Sequence, residues 1–272
     1  MQIHHLNCGT FCPIGGRLMD GRSGGLHGRF VCHCLLLEAD GGLVLVDTGL
    51  GLPAMQAPQS RLSLLYARML NIQSDEASTA RRQIERLGFG PQDVRHILLT
   101  QLDFDHAGGL DDFPEAQAAE AETATARRGF VMTRRYRPQQ WDDRSRWSLY
   151  RPEGEPWLGF DAVRDLERLP PEILLVPLPG HTHGHAGVAV RCDGGWLLHA
   201  GDAYFHHDEM GPERHCPPGL RLYQRLMDMD GPVRLRNQAR LRALAAERPG
   251  EVAIMCSHDA VELDERLIRG GR

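Results

Sequence analysis

Seven short apolar runs punctuate the chain, at residues 31–37, 43–46, 94–99, 173–178, 187–190, 196–199 and 252–256. Each is four to eight residues long, rich in Val, Leu and Ile, and bounded by Gly, Pro, Asp or Asn, which predicts strands. Asp40-Gly41-Gly42 predicts a hairpin between the first two runs, and Asp193-Gly194-Gly195 predicts another later on. Helical patterns lie between the strands. One runs from Ser74 to Leu87 and stops at Gly88, a residue suited to the position after a helix. A second runs from Val233 to Arg248 and stops at Pro249-Gly250. Hairpins of strands broken by helices, in two similar halves, predict an α/β sandwich with helices outside the sheets. No low-complexity linker or tandem repeat interrupts residues 1–272, so a single domain is expected.

Residues 113–170 break the pattern. They are rich in Arg, Trp, Pro and Gly, including Arg134, Arg135, Arg137, Trp141, Trp147 and Trp157. Long irregular segments inside compact domains are often lids or binding loops, and this one is expected to shape a substrate pocket together with the apolar stretch 52–72. Composition narrows the class further. With 42% hydrophobic and 25% charged residues the chain is an ordinary globular protein. Its net charge of -5 argues against a nucleic-acid partner. The apolar runs are too short to span a bilayer. The start of the chain lacks the basic and apolar regions of a secretory signal, and its seven cysteines are an odd number. A reducing cytoplasm with free thiols is therefore expected. The spacings within Cys8, Cys12, Cys32 and Cys34 fit structural zinc poorly. Strand alternation also splits Cys32-His33-Cys34 between two faces, so these thiols read as buried and incidental.

The chemistry gathers at strand ends. Gln101-Leu102-Asp103-Phe104-Asp105-His106 follows one apolar run directly. His181 follows a second, Asp202 a third and His258 a fourth. Buried charges need partners or metal. Four separated strand ends that each present His or Asp predict a metal site with nitrogen and oxygen ligands and no thiolate.

The ordered set Val46-Asp47-Thr48-Gly49, the 101–106 motif, His181, Asp202 and His258 resembles the metallo-β-lactamase-fold hydrolase superfamily, in its lactonase and glyoxalase-II-like branch. The usual H-x-H-x-D-H motif reads Q-x-D-x-D-H here. The resemblance implies a four-layer αββα sandwich with two metals at one edge. It also implies that Asp105, His106 and His258 hold one ion, that Gln101, Asp103 and His181 hold the other, and that Asp202 bridges. Asp47 would then steady a ligand from behind. Oxygen donors at 101 and 103 shift the first position from zinc, the metal expected overall, toward iron or manganese.

The expected activity is hydrolysis of a small ester, lactone or thioester by a metal-activated water. Asp105 and Tyr204 are the catalytic candidates; lactone-cleaving relatives carry a tyrosine one residue further on, where Phe205 stands. His183 and His185 read as scaffold, and His206 and His207 as surface residues. Phosphodiester or nucleic-acid cleavage is the alternative activity, and a metal- or signal-binding protein with weak turnover is the non-enzyme alternative. The expected partner is a small-molecule substrate, with no membrane contact and with a homodimer left open.

Overall fold

A computed structural model describes residues 1–57, 68–120, 147–150, 154–162, 166 and 169–270. One sheet holds six strands in the order β1 (Gln2–Phe11), β2 (Phe30–Ala39), β3 (Gly42–Val46), β4 (Val94–Leu98), β5 (Gln117–Glu120) and β6 (Trp147–Leu149). Its first three strands are antiparallel, and β3 through β6 run parallel. A small hairpin pairs β7 (Glu155–Trp157) with β8 (Phe160–Ala162). The other sheet lines up β9 (Ile173–Pro177), β10 (Ala186–Cys192), β11 (Gly195–His199) and β12 (Val252–Met255), with only the β11–β12 pair parallel.

Alternation along these strands builds the layers. Leu35, Leu37, Val44, Val46 and Leu98 of the first sheet meet Ile173, Leu175, Val188, Val190 and Leu197 of the second in one buried cluster. The intervening residues Leu36, Leu43, Leu45 and Ile97 face the opposite way, onto Ile84 of the helix Ala80–Arg86. Leu174, Val176, Ala189 and Leu198 likewise face Leu241 and Leu244 of the helix Gly231–Glu247. Both faces of each sheet are covered, which is why the strands read as continuous apolar runs. The result is the αββα sandwich. Thr79 caps the first helix and Asp230 the second, each accepting a backbone N–H three residues on.

Departures from the sequence expectations cluster where periodicity is weak. β1 was not expected, because His4, His5, Asn7, Gly9 and Thr10 dilute its apolar pattern; pairing with the strongly apolar β2 overrides that propensity. The segment 113–170 is not wholly an excursion, since β5 and β6 extend the first sheet. Trp141, Arg134, Arg135 and Arg137 lie outside the described residues. Among the described residues no helix is long and apolar enough to cross a membrane.

Candidate metal centre

Each strand end turns its polar residues toward one edge of the sandwich. Asp47, directly after β3, accepts the backbone N–H and the hydroxyl of Thr100, both at 2.8 Å, and the Nδ1–H of His106 at 2.8 Å. Its backbone is left-handed, with φ +55, a conformation that Asp and Asn adopt far more readily than most residues. Thr48 Oγ1 donates to the His106 carbonyl at 2.7 Å and accepts the Gly109 N–H at 2.9 Å. The Asp-Thr-Gly segment thus clasps the C-terminal end of the short helix Phe104–Ala107.

Asp103 occupies the N-cap position of that helix, where an Asp usually accepts a backbone N–H. Its carboxylate makes no such cap; Oδ2 lies 3.4 Å from His181 Nε2 instead. Asp202 is the centre of the cluster. Its Oδ2 lies 3.2 Å from His181 Nε2 and 3.4 Å from His106 Nε2, and it accepts the Gln101 amide at 2.7 Å. Its Oδ1 lies 3.2 Å from His258 Nε2. Asp105 closes the ring, 3.5 Å from His258 Nε2 and 4.0 Å from His106 Nε2. All seven sequence-expected ligands therefore converge.

The imidazoles are pinned from behind. His258 Nδ1 donates to the Val31 carbonyl at 2.7 Å, and His106 Nδ1 to Asp47, so each Nε2 faces inward, free to offer its lone pair to a cation that displaces the ring's second proton. His181 Nδ1 lies 3.6 Å from Asp228 Oδ1. Burial alone would lower His106 and His258, but Asp202 foremost, with Asp47 and Asp105 beside His106 and Asp105 beside His258, holds both above the ordinary imidazole value. Burial would raise Asp202, and the three histidines instead hold it well below the carboxylate range. Asp105 is raised by burial and by its carboxylate neighbours. This is a pocket that demands positive charge.

The donor set fits a cation. Gln101 Oε1, His106 Nε2 and Asp202 Oδ1 are buried without a hydrogen-bond partner. Such atoms are costly unless something pairs with them, and a divalent ion among them would do so.

Supporting residues hold this ring in place. His185 accepts the Asp202 N–H on Nε2 at 2.8 Å and donates from Nδ1 to the Leu178 carbonyl at 2.8 Å; the scaffold role expected of it is what the geometry gives. Gly201, at φ +55, is needed there because a Cβ would stand 2.5 Å from His185 Nε2. His183 is exposed. His206 is buried rather than superficial, and His207 clasps Asp259 at 2.8 Å.

Tyr204 is not brought to the cluster. It is fully buried against the second sheet, and its hydroxyl donates to Glu262 at 2.7 Å. Its neighbour Phe205 points the other way and stacks on His258, with ring centroids 5.1 Å apart. Strand-like alternation at 204–205 could have signalled that choice. Trp157 is also buried, edge-on to Trp196, and is not among the residues that line the cleft beside the cluster.

A cavity of about 300 Å³ opens directly on Asp105 and His258. Its walls are apolar: Phe11, Phe30, Leu70, Phe205, Leu220 and Leu226 contribute, with Tyr223 as the one phenol. Most of these residues come from β1, β2 and the helix Pro218–Met227, not from the 113–170 segment.

Seven His, Asp and Gln donors at one edge of an αββα sandwich, beside an apolar cleft, define a metal-dependent hydrolase. The chain belongs to the metallo-beta-lactamase superfamily, whose family model matches residues 27–255. It is 40% identical over 263 residues to a probable metallo-hydrolase of Mycobacterium tuberculosis, covering 95% of this chain and 80% of that protein. It is 32% identical over 186 residues to the N-acyl homoserine lactonase AiiB of Agrobacterium fabrum, covering 65% of this chain and 64% of the lactonase. An N-acyl homoserine lactone hydrolase solved with N-hexanoyl-L-homoserine at its catalytic metal centre shares the fold. Its TM-score is 0.72 at 19% identity, over 97% of this chain and 95% of that one.

Proposed function

We propose that this hydrolase opens a small lactone, or cleaves a related ester or thioester, whose acyl arm is apolar, and that zinc is its metal. The observation that carries the reading is the apolar cleft ending on Asp105 and His258. Similarity to an N-acyl homoserine lactonase supports the same substrate class. No Arg or Lys lines the cleft among the described residues, and its apolar walls suit an acyl arm better than the polar groups flanking a phosphodiester.

In this reading Asp105, His106 and His258 hold one ion, Gln101, Asp103 and His181 hold the other, and Asp202 lies between them. Bound metal supplies an activated water and polarises the scissile carbonyl. The chain's own groups do the rest. Asp47 and the Val31 carbonyl fix the two imidazoles so that no N–H faces the ions. His185 fixes the backbone of Asp202. Phe205, stacked on His258, and Phe11 exclude bulk water from the inner end of the cleft, and the leucines beyond take up the acyl arm.

Each buried methylene contributes about 0.8 kcal/mol, roughly fourfold in affinity. With the metal-loaded protein, kcat/KM should rise from acetyl to hexanoyl arms on a homoserine lactone series. Leu226 lines the cleft and is 74% exposed, so Leu226→Asp should spare folding and metal content while lowering kcat/KM about tenfold for hexanoyl but not acetyl substrates. A flat chain-length profile, or faster turnover of a phosphodiester, would overturn the proposal.

A further inference from the structure

Cys32 lies where the sequence led us to expect an incidental thiol. It is a free cysteine on β2, buried at 2% exposure. Its sulfur, an Asp105 carboxylate oxygen and a His258 ring nitrogen all lie within 4.8 Å of one another. Asp202 and His106 join His258 in an equally tight group. Two donors on one zinc stand about 3 to 4 Å apart, given bonds of roughly 2.0 to 2.3 Å. A sulfur and two such neighbours therefore need move by only a fraction of that to share an ion.

Two further observations point into the same space. His106 Nε2 and Asp202 Oδ1, on side chains almost wholly buried, have no hydrogen-bond partner there. The placement of Cys32 is also firm. β2 pairs on both sides, with Leu6 facing Cys34 and Leu35 facing Val46. That register turns Cys32 and Cys34 to one face and His33 to the other, where His33 meets His5 and His199. A Cβ on Gly9 would stand 3.0 Å from the Cys32 sulfur, so the β1 backbone backs the thiol closely.

We propose that Cys32 is a thiolate ligand of the ion held by Asp105, His106 and His258, its proton passing to solvent when the metal binds. The proposal rests on the assignment of those residues as ligands. It makes the two ends of the cluster chemically unlike. One offers sulfur and two imidazoles; the other offers Gln101 and Asp103 oxygens with the single imidazole of His181. Soft ligands favour zinc over manganese, so of the two positions the one with Cys32 should hold zinc the more tightly.

The test loads metal-free protein with one equivalent of cobalt(II) and records the near-ultraviolet thiolate-to-cobalt charge-transfer band. Cobalt-to-protein ratios are measured alongside. Wild type should bind one cobalt and show the band. Cys32→Ser and Cys32→Val should still bind cobalt and lack it. X-ray absorption of the wild-type cobalt protein should give a single sulfur neighbour, a readout that needs no variant. Cobalt bound without a band or a sulfur neighbour overturns the Cys32 assignment and leaves the metal centre standing, as does a band that persists in Cys32→Ser. A wild type that binds no cobalt overturns both.

Discussion

Asp47→Asn probes how the chain holds its metal without touching a ligand. The buried carboxylate accepts three hydrogen bonds, two from Thr100 and one from His106 Nδ1. Burial would raise its pKa, yet the charge and hydrogen bond of His106 hold it below the usual carboxylate value. An asparagine keeps the shape and tolerates the left-handed backbone at φ +55, so strain does not confuse the result. It cannot accept all three bonds. If its NH2 faces His106, Nδ1 must accept, and the ring proton moves to Nε2, the atom that faces the cluster. If its oxygen faces His106, the NH2 confronts the Thr100 N–H instead.

Either arrangement forfeits one charge-assisted hydrogen bond, about 1.5–3 kcal/mol. That corresponds to roughly 10- to 100-fold in metal affinity, the usual cost of losing such a supporting group. Competition against a chromophoric chelator measures the affinity, and kcat/KM at saturating metal measures what remains. Zinc affinity within about threefold of wild type in a well-folded variant would refute the tautomer argument.

Three further outcomes follow from the same geometry. Gln101→His should raise the metal-to-protein ratio at limiting free metal, because imidazole binds better than an amide; identical titrations in both proteins would mean that Gln101 never limited occupancy. Tyr204→Phe should leave kcat unchanged, since that hydroxyl is spent on Glu262; a large loss of kcat at unaltered metal content would restore its catalytic role. Burial first, then Asp259, raises Glu262 from 4.5 to about 7. The native state therefore keeps a proton that the unfolded chain releases, and stability should fall as pH climbs from about 4.5 to 7, by on the order of 3 kcal/mol. Glu262→Gln should match wild type near pH 4 and exceed it at pH 8 in urea unfolding; parallel pH profiles would contradict this.

The layered fold was legible because both sheets are covered on both faces, which makes strands such as Leu43–Val46 and Ile173–Val176 continuously apolar. The candidate ligands were legible because each follows such a strand within a few residues. What could not be read shares a different physical character. β1 gains its structure from pairing with β2 rather than from its own pattern. The cleft is assembled from Phe11, Leu70 and Leu220, residues far apart in the chain whose proximity depends on tertiary packing. Val31 contributes to the site through a carbonyl, which no side-chain pattern advertises. Tyr204 and Phe205 are adjacent in sequence yet point in opposite directions, so which of them meets the metal centre depended on backbone orientation after β11.

Charge bears on why the replacement of imidazoles at 101 and 103 need not empty the first metal position. Buried Asp47, Asp103 and Asp202, with Asp105 at the mouth of the cleft, put four carboxylates into one region. Buried net charge is costly unless compensated. With the Cys32 thiolate proposed above, the region carries -5, so one divalent cation leaves it at -3 and a second brings it to -1. Gln101 changes neither figure; it weakens one bond and places an amide donor on Asp202 Oδ2. Asp103, by contrast, adds a negative charge that histidine would not, and its carboxylate faces His181 instead of capping its helix. The second equivalent of metal should therefore depend on Asp103 more than on Gln101. Asp103→Asn removes one charge at constant shape, and in zinc titrations followed calorimetrically it should weaken the second binding step about tenfold or more while leaving the first unchanged. If Asp103→Asn binds its second zinc as tightly as wild type, or if the first step weakens instead, charge balance is not what fills that position.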